Sequence, residues 1–374
     1  VTDVADIVVD GEIAIGPELW AVLRRDVEGT TALIESAVDD LGVPYPVKVP
    51  SEAEAVADFR RLHGRRSAPL GQGKWFSPFK YAVPMTEKFV DIDLTGMKAS
   101  DFFHSHARHA CNVRGYPSPL RTWADSRLRQ GLLKALWTLK CQKVTSSELR
   151  RAMSMRKAIA AQFRPAAARD LFARYEARRV LDFCAGWGDR LVAAIADERI
   201  ESYTGVDPNT ALHQGYRRQV EMFAPLRSAP IDVTMICAPA EEMVLTQTYD
   251  MVFTSPPYFD KERYTDEGTQ SWMRYRAVSE WLRRFLFEAV ARAWAALVPG
   301  GHMVINIADI LSKRRLPNGT RDVERLCDPL CEFVAGLPGS SLVEAVGLRI
   351  PGRPQVAHVA RCEPMWVWRK DRPF

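Results

Sequence analysis

The chain has 374 residues, 47% of them hydrophobic and 26% charged, with seven cysteines and a formal net charge of +5. This length fits two or three domains of about 100–200 residues, and the composition excludes a disordered chain, a collagen-like fibre and a disulfide scaffold. No apolar run approaches the roughly 20 residues of a membrane-spanning helix, and residues 1–15 alternate apolar side chains with Asp and Glu, unlike a secretory signal. Cys111, Cys141, Cys184, Cys237, Cys327, Cys331 and Cys362 are odd in number and lack CxxC spacing. Reduced thiols and a cytoplasmic setting are expected.

The net charge conceals strong segregation. Residues 1–58 carry 3 Lys/Arg against 13 Asp/Glu, residues 59–179 carry 25 against 8, and residues 180–374 carry 23 against 25. Three segments are therefore expected: an acidic arm (1–58), a basic accessory region (59–145) and a nearly neutral domain (146–374). The basic block has the size of a polyanion footprint. Its plainer reading is a set of solvated helix faces with compensating acids nearby in space.

In chain order, the acidic arm reads as partly helical, and residues 59–125 as irregular with a short strand at 91–94. From about residue 127, Leu128, Leu132, Leu136 and Leu139 share a helical face, with Leu133 and Trp137 beside them. Thr145 and Glu148 form a capping box for a helix running to about 162. Pro165 suits the first turn of a helix over 166–175. Strands then read at 180–183, 203–206, 233–236, 251–254, 303–307 and 365–368, with helices at 189–196 and 279–297. Trp366 and Trp368 are expected in the core. Alternation of this kind predicts an α/β fold with a mostly parallel sheet covered on both faces.

Val180-Leu-Asp-Phe-Cys-Ala-Gly-Trp-Gly-Asp-Arg190 joins a buried strand to a helix through a turn with two glycines. Ligands of doubly wound sheets sit at this position, and glycine lets backbone approach them closely. Asp182 ends the strand, placed to hold an ammonium group or an ordered water. Asp207, some twenty residues on, ends the next strand and suits the hydroxyls of a ribose. The third glycine of a dinucleotide fingerprint is missing, and Asp182 and Asp189 would repel a pyrophosphate. S-adenosylmethionine is therefore preferred to a dinucleotide, with Ala185, Gly186 and Gly188 lining it and Glu241 or Glu242 near the adenine edge.

The strand at 251–254 ends in Thr254-Ser-Pro-Pro-Tyr258. With the glycine turn 70 residues upstream, this motif resembles the S-adenosylmethionine-dependent amino-methyltransferases of nucleic acids, which modify cytosine N4 or adenine N6 and carry (D/N/S)PP(Y/F/W). The resemblance covers roughly residues 160–370. It implies a Rossmann-like class I methyltransferase domain, a mostly parallel seven-stranded sheet, beside a largely helical or irregular N-terminal accessory domain. It implies that Ser255 and the carbonyl of Pro256 accept hydrogen bonds from the target amine, that Pro256 and Pro257 stiffen the turn, that Thr254 lies by the cofactor, and that Tyr258 stacks on a base flipped out of its duplex. Phe163 and Pro165 stand where such enzymes close over the methionyl part. Asn306 to Asp309 follow a Gly-Gly turn at a strand end facing the same cleft. Serine in the first motif position narrowly favours cytosine N4 over adenine N6.

The resemblance also makes DNA the expected partner before RNA. Phe259, Arg263, Tyr264 and Arg274, in an aromatic and charged loop after the motif, and Lys313, Arg314 and Arg315 in a second basic loop are the candidates for stacking and phosphate contact. His104, His106 and His109 with Cys111 lack a second pair at zinc-finger spacing, so no metal is expected. An RNA or small-amine methyltransferase, and a non-catalytic nucleic-acid-binding module that kept a cofactor pocket, are the alternatives.

Overall fold

The computed structural model describes residues 2–156, 159–351 and 359–372. The chain divides into two compact units, one comprising Val1–Val49, Ser105–Ala161 and Glu262–Thr265, the other Pro50–His104, Gln162–Lys261 and Asp266–Phe374. These units cut across the three consecutive segments expected from charge.

The first unit is helical, with helices Val27–Asp39, Ser126–Leu133, Ala135–Thr138 and Ser146–Arg156 around Trp20, Ile34, Trp123, Leu132, Leu136 and Met153. Arg129 is fully buried and donates to both Asp39 carboxylate oxygens at 2.7 Å and to the Trp123 carbonyl at 2.5 Å. Ser146 bonds Glu12 at 2.5 Å and Gln130 bonds Glu35 at 3.0 Å. The acidic arm is thus the counter-charge of the basic helices, and the unit holds 16 Lys/Arg against 13 Asp/Glu. The block of +17 is a feature of the sequence, not of one surface. Half of the expected capping box is present: Glu148 Oε2 accepts from the Thr145 N–H at 3.1 Å, while the Thr145 hydroxyl accepts from the Ser147 N–H at 3.3 Å. That helix reaches only Arg156, and residues 159–164 are not helical.

The second unit is built on one large sheet. Its main strands are β1 (Arg179–Asp182), β2 (Ser202–Val206), β3 (Asp232–Ile236), β4 (Tyr249–Thr254), β5 (Leu297–Asn306), β6 (Ser340–Arg349) and β7 (Ala360–Lys370). Their spatial order is β3-β2-β1-β4-β5-β7-β6. All pairs are parallel except those of β7, which runs against both β5 and β6. This is an α/β, Rossmann-like, mostly parallel sheet. Three short strands, Gly71–Gln72, Trp75–Phe76 and Lys88–Val90, widen it to ten. The strand expected at 91–94 lies at Lys88–Val90.

Strand order reverses between β1 and β4, which opens the crevice beyond their carboxyl ends. Leu181 stands opposite Val252, so the turns after Asp182 and after Thr254 leave from neighbouring strand ends. Helix α1 (Pro165–Arg174) leads into β1, and α2 (Asp189–Ile195) and α3 (His213–Phe223) follow β1 and β2. The helix expected over 279–297 runs from Val278 to Ala296, with one wider π turn at Leu282–Leu286. Trp281, Trp294, Trp366 and Trp368 pack into one core with Tyr258 at its upper edge.

Candidate active site

The first half of the site is the turn from β1 to α2. Gly186 and Gly188 have φ of +56° and +71°, a region that only glycine enters without strain. A Cβ on Gly188 would also collide with Gln219. The Ala185 N–H donates to the Val206 carbonyl at 2.9 Å, tying the turn to β2. Tyr216, fully buried, donates its hydroxyl to the Gly186 carbonyl.

Asp207 lies just beyond β2 and accepts from the N–H groups of Gly186 and Asn209, each at 2.9 Å. Burial drives its carboxyl up to about 7, against the lowering effect of those two N–H groups. Its folded value exceeds the ordinary one, so the native state binds more protons than the unfolded state between about pH 4 and 7. Stability from this group therefore falls as pH rises through that window. Ligand binding runs the other way, because only the carboxylate offers free lone pairs to two hydroxyls. Affinity for a ribose-containing ligand is expected to drop by up to about 10-fold between about pH 8 and about pH 6, as the carboxylate fraction of a group near 7 falls by about that factor and a hydrogen bond to a charged group is worth about 1.5–3 kcal/mol. Calorimetric titration at both pH values checks this, and Asp207→Asn is expected to flatten the dependence.

Asp182 does not stand free to receive an ammonium group, contrary to expectation. It is fully buried, with Arg190 Nε at 2.7 Å and Nη2 at 3.2 Å and the Tyr203 hydroxyl at 2.7 Å. Arg190 also donates to the Cys184 carbonyl at 2.5 Å. The acid braces the turn from inside instead of facing a ligand.

Glu241 is buried beside this turn. Its Oε1 accepts from Arg274 Nη1 at 2.6 Å and from the Tyr275 hydroxyl at 3.0 Å, while its Oε2 is buried without a hydrogen-bond partner. Burial holds this carboxyl above the usual range. Thr254 Oγ1, at the end of β4, is likewise buried without a partner. Buried polar atoms in native proteins are nearly always satisfied, so both are points where a ligand's donors fit. Phe163 packs edge-on against Phe253 at 5.4 Å, its N–H bonds Asp189 Oδ2 at 3.2 Å, and Pro165 opens α1. Ribose acceptors at Asp207, an orphan acceptor at Glu241 and a glycine cradle make a donor set that fits S-adenosylmethionine.

The second half of the site is the turn after β4. Ser255 donates its hydroxyl to the Asn306 carbonyl at 3.1 Å, with Asn306 Oδ1 at 3.4 Å. Asn306 is itself fixed by donation from Nδ2 to the Pro364 carbonyl at 3.0 Å. With its proton committed there, the serine oxygen turns free lone pairs elsewhere. Pro256 is buried and Pro257 half-buried. Tyr258 is 9% exposed and donates to Glu363 Oε2 at 3.2 Å. Lys261 Nζ stands 4.3 Å from its ring centroid, so one ring face already carries a cation. Arg190, Tyr203, Asn306 and Glu363 complete these two turns. Asn306 had a signal in its position after a Gly-Gly turn, whereas Glu363 had none, because β7 reads as pure core.

The expected nucleic-acid contacts are divided between the two units. Phe259, with φ of +51°, packs edge-on to Trp281 at 6.1 Å. Arg274 is spent on Glu241 and Glu242. Arg263 and Tyr264 fall in the first unit, where Glu262–Arg263 pairs with Asn112–Val113 and the Tyr264 hydroxyl bonds Glu262 at 2.6 Å. Arg314 pairs with Asp322, and Arg315 is exposed and donates to the Gly319 carbonyl at 2.7 Å. The side chain of Lys313 lies outside the described residues. Among the described residues no three His, Cys, Asp or Glu side chains are grouped to hold a metal. His104 is buried 3.5 Å from Gln219, and burial pulls it down to about 4. His109 bonds the Ser105 carbonyl at 2.7 Å.

No protein-family model matches the chain, and no curated protein matches its sequence. Among solved structures it is similar to TrmN from Thermus thermophilus (16% identity over 60% of this chain and 53% of that one, TM-score 0.36). It is also similar to TehB from Haemophilus influenzae (11% identity, 59% and 66%, TM-score 0.37). A third is an rRNA methylase from Streptococcus thermophilus (13% identity, 57% and 100%, TM-score 0.34). The chain thus spans about half of the first and just under two thirds of the second. The sheet order, and not these distant likenesses, identifies the fold. Among the described residues no helix is long and apolar enough to cross a membrane.

Proposed function

We propose that this chain transfers a methyl group from S-adenosylmethionine to an exocyclic amino nitrogen of a nucleic-acid base, DNA before RNA and cytosine N4 narrowly before adenine N6. The observation that carries this reading is the Ser255–Tyr258 turn, which leaves β4 beside the glycine turn of β1 and presents a serine whose proton is already given away. When bound, the cofactor supplies an electrophilic methyl on a sulfonium.

The residues divide the remaining work. Asp207 accepts from the ribose hydroxyls, Glu241 Oε2 from the adenine amine, and the Gly186–Gly188 backbone and Phe163 flank the rest, with Thr254 at the floor. An exocyclic amine is a poor nucleophile because its lone pair is delocalised into the ring. Ser255 Oγ and the Pro256 carbonyl accept its hydrogens and favour the tetrahedral form, freeing the lone pair for in-line attack. Tyr258 holds the base by stacking, and most of the rate comes from positioning. DNA rests on the motif's resemblance alone.

The internal pairing of Arg129, Arg274 and Arg314 favours a second reading, in which the acceptor is a small amine without phosphates. Transfer of labelled methyl to DNA, RNA and small amines, read by nucleoside mass spectrometry, separates the two. For DNA, labelled cytosine N4 or adenine N6 is expected, with binding that weakens steeply as salt rises. Label in small amines only, with no salt-dependent DNA binding, overturns the nucleic-acid reading.

A further inference from the structure

We propose that Glu363 is the proton acceptor of methyl transfer, a role that rests on the amino-methyltransferase reading above. Attack by a neutral amine leaves a positive charge on nitrogen and one proton too many. The serine that opens the motif cannot take it, because a neutral hydroxyl is a negligible base and its own hydrogen is committed to Asn306. Motif members with aspartate in that position carry a carboxylate there, whereas this chain does not. β7 supplies one from the side.

Glu363 precedes Pro364, whose carbonyl holds Asn306, which holds Ser255. Its Oε2 accepts from the hydroxyl of Tyr258 at 3.2 Å. Ser255, Asn306, Glu363 and Tyr258 therefore form one connected rim. The Glu363 side chain is 30% exposed, open to both a ligand and water. The neighbouring acids differ: Asp182 is buried in its ion pair, and Asp309 is fully buried and holds the N–H groups of Leu326 and Cys327 together with Arg325. Among the described residues, Lys261 Nζ stands 3.9 Å from Glu363 Oε1, and Arg164, a buried guanidinium whose Nη1 and Nη2 have no hydrogen-bond partner, is within electrostatic reach.

In the step itself the nitrogen lone pair forms the new N–C bond as the C–S bond breaks and its electrons stay on sulfur. One N–H proton then passes to the Glu363 carboxylate. Its bonding pair returns to nitrogen and the ring, and the proton leaves to water.

Single-turnover transfer of tritiated methyl to cytosine-containing DNA tests this with the full chain. Glu363→Gln keeps an acceptor for Tyr258 and is expected to lower the transfer rate about 10²-fold or more, the usual range for general base catalysis, with KM for S-adenosylmethionine unchanged. Glu363→Ala is expected to lose as much and to recover in part with added formate, which leaves Glu363→Gln unaffected. Wild-type rate in Glu363→Gln, or a loss in Glu363→Ala that formate does not relieve, overturns the assignment. No incorporation by the wild type into any nucleic acid overturns the amino-methyltransferase reading and this role with it.

Discussion

Replacing Ser255 with alanine should lower kcat about 10²–10³-fold while leaving the affinity for S-adenosylmethionine unchanged. In the proposed mechanism the serine touches the reacting amine and not the cofactor, so its loss would be felt in the transition state. Preorganised polar groups of this kind are worth about 2.7–4 kcal/mol in other enzymes. The Asn306 carbonyl that fixes the hydroxyl is left without its donor, but the backbone of β5 keeps it in place. Tyr258→Ala should act differently. A base stacked on an aromatic ring gains about 1–3 kcal/mol, so the nucleic-acid KM should rise about 10- to 100-fold. Tyr258→Phe keeps the ring and loses the hydroxyl's bond to Glu363, so it should retain most of that binding. Steady-state kinetics with each substrate varied in turn separate these effects. A Ser255→Ala variant at the wild-type rate would remove the catalytic role of the turn.

What the sequence revealed and what it hid follow from the range of the interactions. The β1 turn was legible because a positive φ selects glycine locally, at Gly186 and Gly188, and because a buried strand announces itself by a run of apolar residues. β6 was not, since Leu342 and Val343 are exposed and no apolar run marks it. The three-strand widening of the sheet rests on pieces of two or three residues, two of which have partners more than 250 positions away: Lys88–Val90 against Gly347 and Leu348, and Trp75–Phe76 against Ala360 and Arg361. Asp182 was misread for a related reason: its partner Arg190 approaches from the next helix, and strand-end acids look alike until the fold chooses between ligand and protein. Charge misled most. Blocks far apart in sequence, around Asp39 and Arg129, neutralise each other in one unit. The three histidines at 104–109 suggested a cluster only by spacing, and each that is buried has its own bond, to Gln219 or to Ser105.

Arg190→Met is expected to destabilise the catalytic unit by about 3–5 kcal/mol, the usual cost of removing one partner of a buried ion pair. Arg190 is 3% exposed and Asp182 fully buried. Burial opposes the guanidinium's charge, yet the Asp182 carboxylate outweighs it and holds the group above its ordinary range. Without the arginine, Asp182 keeps only the Tyr203 hydroxyl and a 3.3 Å contact from the Cys184 N–H. At about 2–4 °C per kcal/mol for domains of this scale, the melting temperature should fall by roughly 10 °C. Adding Asp182→Asn should restore part of the loss, because no unpaired charge then remains inside. The same arginine donates to the Cys184 carbonyl and lies 5.3 Å over the Phe163 ring, so cofactor affinity should fall with stability in the single variant. A single variant that melts like the wild type would mean that the pair does not brace the turn. The glycines alone would then hold it, and Asp182 would again be open to the ligand role first read for it.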